Sequence, residues 1–98
     1  MYEIIKSATF DGWLRGLNDR RARVRILARI DRLGCGNPGD VRPVGSGVSE
    51  MRIDYGPGYR VYFTQRGAAV ILLLCGGDKR RQWIDIERAV ALAKRWQE

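Results

Sequence analysis

Glu50, Arg52 and Asp54 fall at alternate positions of one stretch, and Arg60 and Tyr62 do the same a few residues later. Alternate side chains of an extended chain share a face, so each run sets an arginine beside a carboxylate or a phenol. Lys79, Arg80 and Arg81 form a third, basic group. Arginine forks bind phosphate bidentately, and aromatic rings stack on unpaired bases. The set suits attack of an RNA 2′-hydroxyl on its own 3′ phosphate. Glu50 is the candidate proton acceptor. Arg52, Arg60 and Lys79 are candidates to hold the phosphate and stabilise the developing charge. Tyr62, Arg80 and Arg81 are candidate RNA contacts. The same alternation also suits plain cross-strand ion pairs, Glu50–Arg60 or Asp54–Arg60.

The composition narrows this chemistry. The chain has 98 residues and no histidine. Histidine is the side chain that normally titrates near neutrality, so a two-histidine ribonuclease, a Ser-His-Asp triad and histidine-containing zinc sites are excluded. Two cysteines, Cys35 and Cys75, are too few for an all-cysteine zinc site and read as reduced thiols. No metal and no cofactor is implied. Eighteen Lys plus Arg against eleven Asp plus Glu give +7, which predicts attraction to polyanions. No apolar run is long enough to span a bilayer, and the start does not resemble a signal peptide. The expected setting is the cytoplasm.

Residues 1–98 are expected to form one domain, and its elements must bring these groups together. Tyr2–Lys6 reads as a strand. Ser7 caps a short helix with Phe10, Trp13, Leu14 and Leu17 on one side. Asn18 or Asp19 caps a second helix ending near Gly34–Gly36. Ala22, Ile26, Ile30 and Leu33 form its apolar stripe, while Arg21, Arg25, Arg29 and Arg32 form a basic ridge. That ridge suits a solvated face, and Arg25 and Arg29 are its candidate RNA contacts. Asn37–Gly47 is rich in glycine and proline and reads as a loop.

Three strands follow. Val48–Tyr55 places Met51, Ile53 and Tyr55 on one face and Glu50, Arg52 and Asp54 on the other. Tyr59–Gln65 places Tyr59, Val61 and Phe63 against Arg60, Tyr62 and Thr64. Ala69–Cys75 is continuously apolar, as in a strand covered on both faces. Gly76-Gly77-Asp78 leads into a last helix with a stripe of Trp83, Ile86, Ala89, Val90, Ala93 and Trp96. The expected order is β-α-α-β-β-β-α, an α+β fold with an antiparallel meander and helices packed on one face. The polar sets then converge on the open face, unless a slip in register inverts one strand.

The run Glu50-Met-Arg-Ile-Asp-Tyr-Gly-Pro-Gly-Tyr-Arg-Val-Tyr-Phe63 resembles the phage-derived "addiction module killer" group, the HigB-like toxins of the RelE/ParE superfamily. Leu72-Leu-Leu-Cys-Gly-Gly-Asp-Lys79 and the Asp85-Ile-Glu-Arg-Ala89 helix extend the resemblance over nearly the whole chain. It implies a RelE-like fold and a type II toxin that cuts mRNA on the ribosome. It also implies a small helix-turn-helix antitoxin as partner, in a toxin–antitoxin hetero-oligomer. Arg60 matches a recurrent functional arginine of the RelE-like ribonucleases. Arg52 lies at or next to a basic position, Glu50 resembles the acidic base of some members, and Lys79 matches a basic residue after the last strand. The chain departs from the pattern near its end, offering Trp83 and Asp85 where many relatives carry Tyr or His. ParE-like members that bind DNA gyrase, and non-catalytic RNA-binding relatives, stay open as alternatives.

Overall fold

The computed structural model describes residues 1–96. The elements are β1 (Glu3–Lys6), α1 (Ala8–Arg15), α2 (Arg20–Gly34), β2 (Val41–Gly45), β3 (Val48–Ile53), β4 (Tyr59–Arg66), β5 (Val70–Gly77) and α3 (Gln82–Arg95), with a 3-10 turn at Lys79–Arg81 before α3. They build one five-stranded sheet in the order β1-β5-β4-β3-β2. β2 to β5 form an antiparallel meander, and β1 joins β5 in parallel at the edge. The fold class is α+β, as the residue pattern predicts.

Both expected caps form. Ser7 Oγ accepts a hydrogen bond from the Phe10 N–H and donates one to the Leu74 carbonyl, tying the start of α1 to β5. Asp19 accepts from the N–H groups of Arg21 and Ala22 at the start of α2, satisfying donors that a helix otherwise leaves free. Phe10 and Leu14 of α1 and Ile26, Ile30 and Leu33 of α2 pack on Met51, Ile53, Val61, Phe63, Ile71 and Leu73.

Three expectations are corrected. The stretch Asn37–Gly47 is not all loop, because Val41–Gly45 pairs with β3 as the edge strand β2. The helices do not all lie on one face. α3 covers the opposite face, where Tyr62, Leu72, Leu74, Cys75 and Ala89 form a second cluster with Val48. The face expected to be open is therefore roofed. Trp83 also departs from the expected stripe: it is 82% exposed, whereas Ala89 is fully buried. Gln82 occupies the inward position of the first turn instead.

A bulge shapes the sheet where the polar groups meet. Tyr62 pairs with Cys75 but Phe63 pairs with Leu73, so one residue of β5 has no partner on β4. Such an insertion lets consecutive residues share a face. Leu74 and Cys75 both pack in the cluster under α3. Arg60 and Gly77 stand opposite each other beyond it.

Candidate functional site

The site begins with an awkward pairing. In the register of β3 with β4, Glu50 stands opposite Tyr62 and Arg52 opposite Arg60. Like charges directly opposite are destabilising. Each arginine here turns to its own carboxylate. Arg52 Nε and Nη2 donate to Asp40 Oδ1 at 3.2 and 2.8 Å. Arg60 Nη1 donates to Glu50 Oε1 at 3.4 Å. The two guanidinium groups are thus held apart, one at the surface and one beneath it. Asp40 holds Arg52 above the usual arginine value, chiefly through those hydrogen bonds. The same bonds hold the Asp40 carboxyl below its ordinary range.

A cavity of about 440 Å³ opens beside them, lined by Asp40, Arg52, Asp54, Arg60, Lys79 and the Gly56–Gly58 turn. The turn is built for this approach. Gly58 has φ +81°, and a Cβ there would stand 3.4 Å from Lys79 Cβ. A side chain at this left-handed position would be strained and would crowd Lys79. Three of the four predicted reaction residues, Arg52, Arg60 and Lys79, therefore meet at one cavity.

Glu50 sits differently. It is fully buried and does not line the cavity. Its Oε1 accepts from Arg42 Nε at 2.9 Å and from Arg60. Its Oε2 accepts from Tyr62 Oη at 3.0 Å and Gln82 Nε2 at 2.9 Å. Burial pushes the carboxyl up, but the hydrogen bonds from Arg42, Tyr62 and Gln82 outweigh it and hold it below its ordinary value. A carboxylate so supplied with donors is a weak proton acceptor. It anchors Arg60.

Tyr62 is not an open stacking ring. It is fully buried under α3, which overturns the RNA-contact expectation for this residue. Burial raises its hydroxyl well above the usual value, and the Glu50 charge adds to the effect. Tyr62 serves as a hydrogen-bond donor to Glu50. Arg42 and Gln82 complete this cluster, and the residue pattern did not single out either of them. Arg42 fell in the expected loop, and Gln82 matters only because α3 lies over this face.

The other predicted contacts are dispersed. Arg25 lies over the Tyr55 ring at 4.9 Å. Arg29 donates to the carbonyls of Arg52 at 2.7 Å and Pro38 at 3.1 Å, so its guanidinium clamps the start of β2 to β3. Both line a depression beside α2 and not the Arg60 cavity.

Residues 12–97 match the family described as "Phage derived protein Gp49-like (DUF891)". The chain belongs to this Gp49-like family. A protein of Haemophilus influenzae (strain ATCC 51907 / DSM 11121 / KW20 / Rd) is 48% identical over 92 residues, 94% of this chain and 93% of its own. That relative is described only as an uncharacterized protein.

The Gp49-like chain carries a second cavity, of about 510 Å³, next to the first. Pro57 lines both. Arg80 and Arg81 belong to this one, with Arg88, Asp85, Trp13 and Tyr59. Asp85 is 1% exposed. Burial raises its carboxyl above the ordinary range, with Arg81 and Arg88 pulling the other way. The two glycines of the Gly-Gly-Asp-Lys turn make room here. A Cβ at Gly76 would stand 2.3 Å from the Trp13 ring, and one at Gly77 would stand 1.8 Å from Asp85 Oδ2.

Proposed function

We propose that this Gp49-like protein is the toxin of a type II toxin–antitoxin pair, HigB-like within the RelE/ParE superfamily, and cuts mRNA on the ribosome. The observation that carries the reading is the convergence of Arg52, Arg60 and Lys79 on one cavity, with Arg60 fixed from behind by a buried carboxylate. Three cations around one cavity, one of them held by a buried carboxylate, suit a phosphate whose charge grows in the transition state. Glu50 is closed off by its donors. Asp54 lines the cavity and makes no ion pair among the described residues, which supports reading it as the carboxylate that accepts the proton. The ribosome then supplies the substrate geometry that a histidine-free site lacks. The partners on this reading are the ribosome with its mRNA and a helix-turn-helix antitoxin, in the cytoplasm.

The test is induction of the chain in growing cells, with mRNA ends mapped by primer extension. Cleavage at codon boundaries and growth arrest are expected. Lys79→Ala, an exposed change, should remove both while the melting curve stays that of the parent. Arg60→Ala should do the same at a temperature where it remains folded. Full toxicity of both variants would overturn the reading. Intact mRNA with an SOS response would point to a gyrase-binding toxin instead.

A further inference from the structure

The first turn of α3 presents an aromatic ring to solvent. Its inward positions are taken by polar side chains: Gln82 donates to Glu50 Oε2 at 2.9 Å, and Asp85 is buried against Gly77. Ile86, Ala89, Val90 and Ala93 hold the helix to the cluster beneath it. Trp83 is left outside that cluster. It is 82% exposed, and Ile84 beside it is 59% exposed. No other aromatic side chain is exposed among the described residues. Single apolar side chains on a surface are ordinary, whereas contiguous ones mark contact surfaces. The pair also has basic neighbours. α3 follows directly on the 3-10 turn Lys79–Arg81. Arg80 is engaged by Asp78 at 3.3 Å. Lys79 lines the first cavity and makes no ion pair among the described residues. Lys79 and Trp83 are one turn apart on this run, a rise of about 6–8 Å, which a single nucleotide bridges.

We infer that Trp83 is a stacking platform for an unpaired RNA base, the base next to the phosphate held by Arg52, Arg60 and Lys79. The surroundings favour RNA over a protein partner. The core of a protein–protein contact is depleted of charge, whereas this ring follows three consecutive basic residues. Cations that track a backbone, with an aromatic ring beside them, are the combination by which proteins hold single strands. Every base has a π-face, so Trp83 supplies affinity and position and not sequence choice. A base pinned there limits how the nucleotide can rotate about its bound phosphate, which serves a site that depends on positioning. The inference rests on the RNA reading given above, and adds to that site a contact for the neighbouring base.

The experiment measures binding of the intact chain to 2′-O-methyl hexa-adenylate, which cannot undergo 2′-hydroxyl attack, by fluorescence anisotropy at low salt. An abasic strand with the same phosphates is the control. Trp83→Leu should weaken binding of the hexa-adenylate at least about fivefold, the low end for losing one stacked base, and leave the abasic strand unaffected. Trp83→Phe, which keeps a ring, should retain most of the affinity. Lys79→Ala should weaken both strands. The melting curves of both Trp83 variants should match the parent, because the side chain lies outside the core. Equal losses on the two strands, or no binding of the hexa-adenylate by the parent, would overturn the platform. Undiminished binding in Trp83→Leu would do so too, and would leave Trp83 and Ile84 as a protein contact. Cleavage maps separate the two proposals. mRNA cleavage with no base-dependent role for Trp83 leaves the toxin reading standing and removes the platform. Trp83-dependent binding of the base without cleavage does the reverse.

Discussion

Replacing Glu50 by Gln should strip Arg60 of its anchor, and the cost can be worked from the contacts. Glu50 presents two oxygens to four donors, from Arg42, Arg60, Tyr62 and Gln82. Glutamine keeps one oxygen and turns an amino group toward the remaining donors. Arg42 has half its side chain exposed and can turn to water, whereas the Arg60 side chain is 10% exposed and cannot. Removing one partner of a buried ion pair costs about 3–5 kcal/mol. A domain of this size has about 5–15 kcal/mol in all. At roughly 4–8 °C per kcal/mol, the low end of that cost lowers Tm by about 12–24 °C. The assay is thermal melting followed by circular dichroism. A cycle with Arg60→Met should show a coupling of at least about 1 kcal/mol, since the two groups touch. The pH dependence gives a second check. The folded carboxyl lies below its unfolded value of 4.5. Its stabilisation is therefore complete above that value and is lost as pH falls through the lowered folded value. The gap between parent and Glu50→Gln should close in acid. A Glu50→Gln protein melting within about 2 °C of the parent at pH 7 would refute the anchor role.

Gly77→Ala should destabilise the chain by about 1–3 kcal/mol, the usual cost of overpacking, because the new Cβ would meet Asp85 Oδ2 at 1.8 Å. The same change in an Asp85→Ala background should cost less, and equal losses in melting temperature would show that the carboxylate is not what Gly77 accommodates. The two thiols should also separate in labelling. Cys35 is exposed and Cys75 buried, with burial pushing the Cys75 thiol up to about 12. A thiol reagent at pH 8 should therefore modify Cys35 promptly and Cys75 only on unfolding, because the thiolate is the reactive form. Rapid modification of both in the folded chain would contradict this burial.

Face alternation was the most legible signal. Met51, Ile53, Val61 and Phe63 all pack under α1 and α2, and Glu50 and Tyr62 point the other way. What alternation does not say is what covers a face. A helix stripe shows that α3 is buried against something, not on which side of the sheet. Yet β5 carried the answer. Its unbroken apolar run requires cover on both faces, and its residues do divide between the two clusters. That run and a one-sided fold were incompatible expectations, and the run was the better guide. β2 escaped notice because Pro43 and Gly45 mask a strand. Pro43 is tolerated because β2 is an edge, where no further strand needs its missing N–H. Asp85 stood out only as a departure from a family pattern. Its meaning depends on the space left by Gly77, which no periodicity reveals.

The cavity's own charges nearly cancel, and this bears on how an RNA would be captured. Arg52, Arg60 and Lys79 are matched there by Asp40, Asp54 and the Glu50 behind them. The net +7 of the chain therefore lies elsewhere, on the α2 ridge and around α3. Long-range attraction comes from those surfaces and weakens with salt. The cavity instead contributes orientation. Its outer pair, Arg52–Asp40, is half exposed on both sides, and such pairs are worth about 0–1 kcal/mol. A phosphate can replace Asp40 on Arg52 at little cost, gaining a fork that is already positioned. The inner pair resists exchange, because Glu50 is fully buried and tied to Tyr62 and Gln82 as well. One arginine is thus free to change partner while its neighbour stays fixed. Such a pair can admit a phosphate and still hold it in a single orientation.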